Sequence, residues 1–207
     1  YFKNYVSREP DSIIEELQYI LTVAKTGKEI YPFLLFKFTN KFITISKSID
    51  VKFRDQLGRN WHNNIRLIPN AINFMKFNSI PHPPDNNNIE LISVGRMFPI
   101  KNHMYLLKVV DELKKTAPGH NWRLIIAGNG PLKAEMEKQI DELDLQGKVS
   151  LPGKIESVEM ELKKSHIYVH SAILEPFGLT ILEAMAASLP VVCLDGGGNR
   201  DFIQNDV

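Results

Sequence analysis

The sequence predicts an α/β fold built on a doubly wound parallel sheet. From residue 89 onward, apolar segments of strand length alternate with amphipathic segments of helix length, which is typical of parallel sheets covered by helices. Glycines follow several of the apolar segments, where a strand would turn into a helix. Segments of both kinds also occur earlier in the chain, so we expect a partial α/β domain there.

The first part of the chain is predicted to hold a long helix followed by a small α/β unit. Residues 11–26 carry apolar side chains at helical spacing, opened by a capping box and closed by Gly27. A strand, a helix and a second strand are predicted after it, at 42–46, 48–57 and 65–68. The alternation of an α/β sheet therefore begins early in the chain.

A run of proline and asparagine divides the chain into two predicted domains. Residues 81–88, PHPPDNNN, disfavour both helix and strand and are interpreted as a linker. The chain begins without methionine and stops where a helix starting near Asn199 would lead into another element. We therefore expect a fragment, with the end of a first domain at 1–80 and a second domain at 89–207 whose C-terminal end is missing.

The second domain is predicted to contain five strands separated by four helices. The strands are expected at 89–94, 122–127, 149–151, 167–170 and 190–194, and the helices at 101–115, 131–143, 156–164 and 178–188. Ligands of open parallel sheets bind beyond the carboxyl ends of the strands. We therefore expect functional residues in the loops after the first, second, fourth and fifth of these strands.

The composition argues against several classes of protein. The 25 basic and 24 acidic residues are interspersed and give a net charge of +1, so we expect no extended surface for nucleic acid. No apolar stretch approaches the roughly 20 residues of a membrane-spanning helix. Cys193 is the single cysteine, within the apolar run 190–194 that is predicted to be a buried strand. It excludes an intrachain disulfide and favours a cytoplasmic protein.

The loop after the first strand of the second domain is basic. Residues 95–101, GRMFPIK, place Arg96 and Lys101 five residues apart before a helix. Arginine offers a planar fork for phosphate oxygens and lysine a mobile point charge, so the pair suits a diphosphate. A solvated pair of cations at the start of a helix is the alternative.

The next loop, GNGP, is rich in glycine. Gly128 and Gly130 allow a tight turn, and Pro131 suits the first position of a helix. The loop is not the dinucleotide fingerprint, because Lys133 stands where the third glycine is required. A plain strand-to-helix turn and a role beside a ligand both remain open.

The segment 171–187 carries two carboxylates eight positions apart, Glu175 and Glu183. The neighbours of Glu183 are apolar, and burying a carboxylate on such a helix is costly unless it is hydrogen-bonded. The alternative is that Glu183 reaches solvent. Gly178 lets the backbone approach a ligand closely, and the N–H groups at the start of the following helix suit an anion.

These motifs together resemble the large retaining glycosyltransferase family 4, which has the GT-B fold of two Rossmann-like domains. The resemblance is carried by Glu175-x7-Glu183 in the form EPFGLTILEA, by the basic loop, by GNGP and by GGNRD at 197–201, in the family's order. It covers roughly residues 40–207. Asp201 stands where relatives commonly carry glutamate.

The resemblance implies a role for each matched position. Arg96 and Lys101 would hold the donor diphosphate and stabilise the leaving group, and Glu175 would face the transferred sugar. Glu183 would accept hydrogen bonds from the ribose. Further contacts to sugar, phosphate or base would come from Phe177, Gly178, Leu179, Gly128, Gly130, Gly197, Gly198 and Ile155.

The resemblance also implies the substrates. We expect a nucleoside-diphosphate sugar as donor, with a UDP-sugar first although the residues do not distinguish the base, and neither a cofactor nor a metal ion. The implied acceptor is a saccharide, wall polymer or lipid-linked molecule of bacterial polysaccharide biosynthesis. Peripheral association with the inner face of the membrane stays open. The fragment alone is expected to be inactive.

Other interpretations remain. The chain is alternatively a nucleotide-sugar-binding fragment without catalysis, or another GT-B enzyme such as a nucleotide-sugar epimerase. A nicotinamide-dependent oxidoreductase is disfavoured by the missing third glycine. His166 and His170 bracket a short strand without a third ligand nearby, so we expect no metal site there.

Overall fold

The structure is a computed structural model that describes residues 40–57, 59–78, 88–119 and 121–203. The helix predicted at 11–26 lies outside the described residues, as does all of the predicted linker except Asn88, which opens a strand. The division into two domains stays a prediction.

A small parallel unit precedes the main sheet, as the sequence predicts. Strands β1 and β2 pair in parallel, and Ser46 Oγ accepts a hydrogen bond of 3.3 Å from the N–H of Ile49 at the start of the intervening helix. The elements are β1 (Phe42–Thr44), α1 (Lys47–Leu57), a 3₁₀ helix (Arg59–Asn64), β2 (Ile65–Leu67) and the one-turn helix α2 (Phe74–Phe77).

The main sheet has five strands in the order β5-β4-β3-β6-β7, all parallel. Its first strand is central, and the chain builds outward to one edge before crossing to the other, which confirms the predicted doubly wound fold. The elements are β3 (Asn88–Val94), α3 (His103–Thr116), β4 (Asn121–Ala127), α4 (Lys133–Glu142), β5 (Val149–Gly153), α5 (Val158–Lys164), β6 (Ile167–His170), α6 (Leu179–Ala186) and β7 (Val191–Cys193).

Helices cover both faces of this sheet. On one face α3 and α4 bury Leu107 and Met136 against β3, β4 and β5. On the other face α5 and α6 bury Leu162 and Ile181, and α2 adds Phe77 to the same cluster. The apolar side chains at helical spacing, which predicted these helices, are thus the side chains that form the two halves of the core.

Two local expectations for the last part of the chain are wrong. The run 190–194 was expected to be buried, but β7 lies at the edge of the described sheet, with Val192 62% exposed and Cys193 partly exposed. The helix expected near Asn199 is only a 3₁₀ turn, Gly198–Asp201, within the described residues. In the part of the chain that the structure describes, none of the helices has the length and apolar character needed to cross a bilayer.

The sheet topology determines where a ligand would bind. Strands β3 and β6 are neighbours, although two strands and three helices separate them in the chain. The chain leaves their carboxyl ends toward helices α3 and α6 on opposite faces of the sheet, which opens a crevice between the two loops. These loops, 95–102 and 171–178, contain three of the charged residues predicted to be functional, Arg96, Lys101 and Glu175.

Candidate functional site

Lys101 is positioned by a short turn at the start of α3. Pro99 begins a 3₁₀ turn that ends at Lys101, and Asn102 then adopts the left-handed conformation, with φ 55°, before the helix begins. Asparagine tolerates this conformation better than most residues. The turn directs the ammonium group of Lys101 to within 2.6 Å of Glu175 Oε2 across the crevice.

The backbone of Glu175 is held by the last glycine loop. Its N–H donates to the carbonyl of Gly196, and its carbonyl accepts from the N–H of Gly198, both at 2.8 Å. A Cβ on Gly196 would lie 2.6 Å from that of Glu175, and one on Gly198 would overlap the carbonyl of Pro176. Packing against the Glu175 segment therefore requires glycine at both positions, independently of any ligand.

The carboxylate of Glu175 is buried and receives two donors. Lys101 Nζ and His170 Nε2 lie 2.6 and 2.9 Å from the same atom, Oε2, and a carboxylate only accepts, so Nε2 of His170 carries a proton. Burial raises the pKa of Glu175, but the hydrogen bonds from His170 and Lys101 outweigh it and lower the pKa to about 2. Glu175 is therefore an anion at every physiological pH.

A second histidine lies beside this cluster. His103 is 3% exposed, its ring lies beside Gly95, and within the described residues its Nδ1 has no hydrogen-bond partner. Burial, with smaller contributions from His170 and Lys101, lowers the pKa of His103 to about 4. His103 is neutral at neutral pH, so it adds no charge to the crevice.

Arg96, the other predicted cation, lies on the same loop as Lys101. Its side chain is exposed, and the guanidinium carbon lies 5.0 Å from the centre of the Phe98 ring. A cation over an aromatic face is weakly attracted, by roughly 0.5–1 kcal/mol at an exposed site. Because the residue is exposed, a phosphate group could reach the guanidinium.

The GNGP loop packs directly on the basic loop. Met97 N–H donates to the Asn129 carbonyl at 2.9 Å, and Cβ atoms on Gly128 and Gly130 would overlap the carbonyl oxygens of Gly95 and Met97. Gly128 also has φ +146°. The two glycines are thus required by loop packing, and their predicted contact with a ligand stays a prediction.

Glu183 lies on α6, which begins after Gly178 at φ +104°. Its side chain is half-buried, and within the described residues its carboxylate makes no hydrogen bond. Burial raises the pKa of Glu183; nearby Lys76 opposes this effect and Glu159 adds to it. Glu183 therefore reaches solvent in part, and its partly desolvated carboxylate receives no hydrogen bond from a described side chain.

The remaining predicted residues occupy different environments. Phe177 is buried and packs on Phe202 with ring centres 5.4 Å apart, whereas Leu179 is 41% exposed at the first turn of α6. Ile155 is half-buried after β5. Gly197, with φ +98°, lies beside Ser48 of α1. Their proposed ligand contacts are predictions that the geometry leaves open.

Asp201 has a different partner from the Glu175 cluster. Its Oδ2 accepts a hydrogen bond of 2.7 Å from the N–H of Lys47, the first residue of α1. A carboxylate at the start of a helix is favoured by the free N–H groups there. The last glycine loop thus joins the crevice to the small unit that precedes the main sheet.

His170 is the site residue that sequence reasoning missed. The sequence predicts neither a metal site nor any other role at this position, and the structure places His170 against Glu175. The described residues contain no group of three or more histidine, cysteine, aspartate or glutamate side chains able to hold a metal. The available signal was its position as the last residue of a predicted strand that leads into the Glu175 loop.

Known proteins are similar to this chain in sequence and in fold. The GPI3 subunit of phosphatidylinositol N-acetylglucosaminyltransferase from Saccharomyces cerevisiae is 28% identical over 151 residues, 69% of this chain and 33% of that protein. The GDP-Man:Man(3)GlcNAc(2)-PP-Dol alpha-1,2-mannosyltransferase of Caenorhabditis elegans is 33% identical over 132 residues, 59% of this chain and 28% of that protein. The chain therefore spans about a third of the length of these relatives.

A chain of known structure has a similar fold. A variant of TarM from S. aureus, in complex with Fondaparinux, alpha-GlcNAc-glycerol and UDP, superposes with a TM-score of 0.66 at 25% identity, over 80% of this chain and 32% of that chain. The parallel sheet is accordingly the Rossmann-like half of a GT-B fold. The sequence profile of the glycosyl transferases group 1 matches residues 75–207, well over half of the chain, and the protein belongs to that family.

Proposed function

We propose that this chain is the donor-binding part of a retaining glycosyltransferase, which takes a nucleoside-diphosphate sugar and, within the complete protein, transfers the glycosyl group to a saccharide, wall-polymer or lipid-linked acceptor. The observation that carries the proposal is the contact between Lys101 and the buried, ionised Glu175 at the crevice between β3 and β6. A cation and an acceptor side by side match the two ends of such a donor, its phosphates and its sugar hydroxyls.

The cations of the basic loop would bind the diphosphate. Lys101 is one quarter exposed, so its ammonium group is accessible from the crevice, and Arg96 lies on the same loop. Negative charge builds up on the nucleoside diphosphate as the glycosidic bond breaks. Fixed cations stabilise that charge more in the transition state than in the ground state, which is how they would accelerate the reaction.

Glu175 would bind the sugar as a hydrogen-bond acceptor. With a pKa of about 2, it carries no proton to give to a leaving group, so a role as general acid is disfavoured. Its Oε2 is already occupied by two donors, which leaves Oε1 for a sugar hydroxyl. Glu175 is accordingly assigned to positioning the sugar, and retention follows from the family resemblance.

Helix α6 would contact the rest of the donor. Gly178 lets the backbone come close to a ligand, and the first N–H groups of α6 are suited to a phosphate oxygen. One turn further, the carboxylate of Glu183 makes no hydrogen bond within the described residues. Two ribose hydroxyls would satisfy it, and the hydrogen bonds would offset the desolvation that raises its pKa.

The relatives support this class of substrates without fixing its members. The TarM structure contains UDP, which makes a UDP-sugar the first candidate, whereas the worm relative is named for GDP-Man. The names of the yeast and worm relatives include phosphatidylinositol and a PP-Dol-linked glycan. We therefore include a lipid-linked acceptor, with the enzyme acting in the cytoplasm at the inner face of a membrane.

The donor site is tested by calorimetric titration of the complete protein with UDP, GDP, ADP, UDP-glucose and UDP-N-acetylglucosamine. Arg96→Ala and Glu183→Ala are each expected to weaken the best ligand by about tenfold to a hundredfold, as expected for one charged hydrogen bond. Exposed residues of the same kinds supply the controls, Arg123→Ala and Glu142→Ala. Equal affinity for all four variants would overturn the donor site.

Turnover separates catalysis from binding alone. With a donor that binds, release of the free nucleoside diphosphate is measured, and the anomeric configuration of the transferred sugar is read by NMR. The proposal expects release together with an unchanged configuration. Inversion would contradict the retaining assignment, and binding without release by the complete protein would leave a sugar-binding protein without transferase activity.

A further inference from the structure

His170 is a buried histidine in contact with Glu175 of the candidate site. His170 is 4% exposed, and its Nε2 donates to Oε2 of Glu175 at 2.9 Å. On the other side of the ring, the hydroxyl of Tyr168 lies 3.5 Å from Nδ1 and 3.4 Å from the Val94 carbonyl, and its one proton can be donated to either of them. A polar ring this deeply buried is unfavourable unless its nitrogen atoms find partners, so these contacts fix its orientation.

The two donors to Glu175 are anchored very differently. His170 is the last residue of β6, its carbonyl accepts from the N–H of Leu194, and it pairs with Cys193 of β7. Its short side chain has two rotatable bonds and is covered on all sides. Lys101 extends a long, flexible chain from a loop and is partly exposed. Lys101 can leave Glu175 for another anion, whereas His170 cannot.

We infer that His170 is a positioning residue for Glu175. It holds Oε2 so that Oε1 faces the transferred sugar, and it keeps the carboxylate in place when Lys101 turns to the donor diphosphate. This inference rests on the proposed function and assigns the sugar-facing part of the same site. It predicts that His170 governs recognition of the sugar and leaves binding of the nucleotide unchanged.

The decisive comparison is between His170→Gln and His170→Asn. The amide nitrogen of glutamine reaches about as far from the backbone as Nε2 of histidine, whereas that of asparagine stops short of Glu175. Both side chains are neutral amides that differ by one methylene group, so the effects of burying a polar group are similar. A difference in recognition of the sugar at unchanged affinity for the nucleotide reports the hydrogen bond to Oε2.

Two quantities are measured on the complete protein. The first is the ratio of the Kd of UDP to that of UDP-glucose or UDP-N-acetylglucosamine, with GDP and GDP-mannose if guanosine is the base that binds. The second is kcat and KM for hydrolysis of the same donor. His170→Asn is expected to shift the ratio and to lower kcat, each about tenfold, with little change in the Kd of the nucleotide. His170→Gln retains both within about threefold.

Each result separates this inference from the proposed function. Failure of the wild-type protein to bind UDP, GDP or ADP would overturn both. Nucleotide binding with an unaltered ratio and kcat in His170→Asn would overturn the role of His170 alone, as would a loss of nucleotide affinity in that variant. Introduced together with Glu175→Gln, His170→Asn is expected to add no further loss of kcat, because both act through one carboxylate. Additive losses would overturn the inference.

Discussion

Two sets of loops meet at the same edge of the sheet and are held in place in different ways. The glycine loop after β4 is joined to the basic loop by main-chain hydrogen bonds, such as Met97 N–H to Asn129 O at 2.9 Å. The cluster of Lys101, His170 and Glu175 is instead held by side-chain contacts, an ion pair from Lys101 and a hydrogen bond from His170 to the same carboxylate oxygen. The first arrangement already has a structural reason in loop packing, whereas the second buries an ion that a purely structural turn would not need.

The largest effect is expected where the backbone arrangement is broken. In Gly128→Ala the new Cβ would overlap the Gly95 carbonyl, and φ is +146°, so the free energy of unfolding is expected to fall by about 3 kcal/mol or more. Gly119→Ala is the matched control, because a Cβ there meets nothing within 4 Å. Urea unfolding measures both, and equal stability of the two variants would contradict the packing of the two loops.

The next effect concerns the neutral histidine beside the charged cluster. The pKa of His103 is about 4 in the folded protein, because burial lowers it from 6.5. The unfolded chain takes up the proton first, so stability is complete above pH 6.5 and is lost as the pH falls toward 4. The loss amounts to at most about 3 kcal/mol.

Substitution isolates this contribution. His103→Leu is expected to flatten the dependence of the unfolding free energy on pH between 6.5 and 4, measured by urea unfolding at a series of pH values. Glu175, with its pKa lowered to about 2, changes the unfolding free energy only below about pH 4.5. There the unfolded chain takes up the proton first, and the stabilisation by the ionised carboxylate is lost. An unchanged slope in His103→Leu would show that other groups titrate in this range.

A smaller effect distinguishes a buried ion pair from an exposed one. Lys101→Met removes one of two donors from a carboxylate side chain that is 9% exposed, and is expected to lower the free energy of unfolding by about 2 kcal/mol. Lys114→Met removes a comparable contact to Asp144, at 2.7 Å but exposed, and is expected to have no measurable effect. Equal losses in the two variants would mean that Glu175 is not desolvated.

The sequence predicted the main sheet well because the chain from residue 88 onward repeats a simple pattern of strand and helix. The parallel direction of the strands was predictable from the alternation of strands and helices alone, since crossover connections admit few arrangements. The exposure of β7 was not predictable, because a strand at the centre of a sheet and one at its edge carry similar apolar residues. Val192 is 62% exposed. Edge position depends on which strands pair, and no local pattern records that.

The site was predicted residue by residue but not as a cluster. Lys101 and Glu175 were singled out separately, and their contact depends on β3 and β6 being neighbours. His170 was missed, because a histidine at the end of a strand is recognisable as functional only once its partner is known. The glycines at 128, 130 and 198 were assigned to a ligand, and loop packing gives each of them a structural reason as well.

The smallest change in stability is expected at Glu183, and its sign is informative. Glu175 is stabilised as an anion by two donors, so Glu175→Gln is expected to destabilise the fold. Glu183 makes no hydrogen bond within the described residues, and burial raises its pKa. Its charge therefore opposes folding at neutral pH, and Glu183→Gln is expected to leave the free energy of unfolding unchanged or slightly higher.

If the same variant also weakens nucleotide binding in calorimetry, Glu183 is a residue retained at the expense of stability, which is the behaviour of a ligand contact. A clear loss of stability would instead make Glu183 a structural residue of α6.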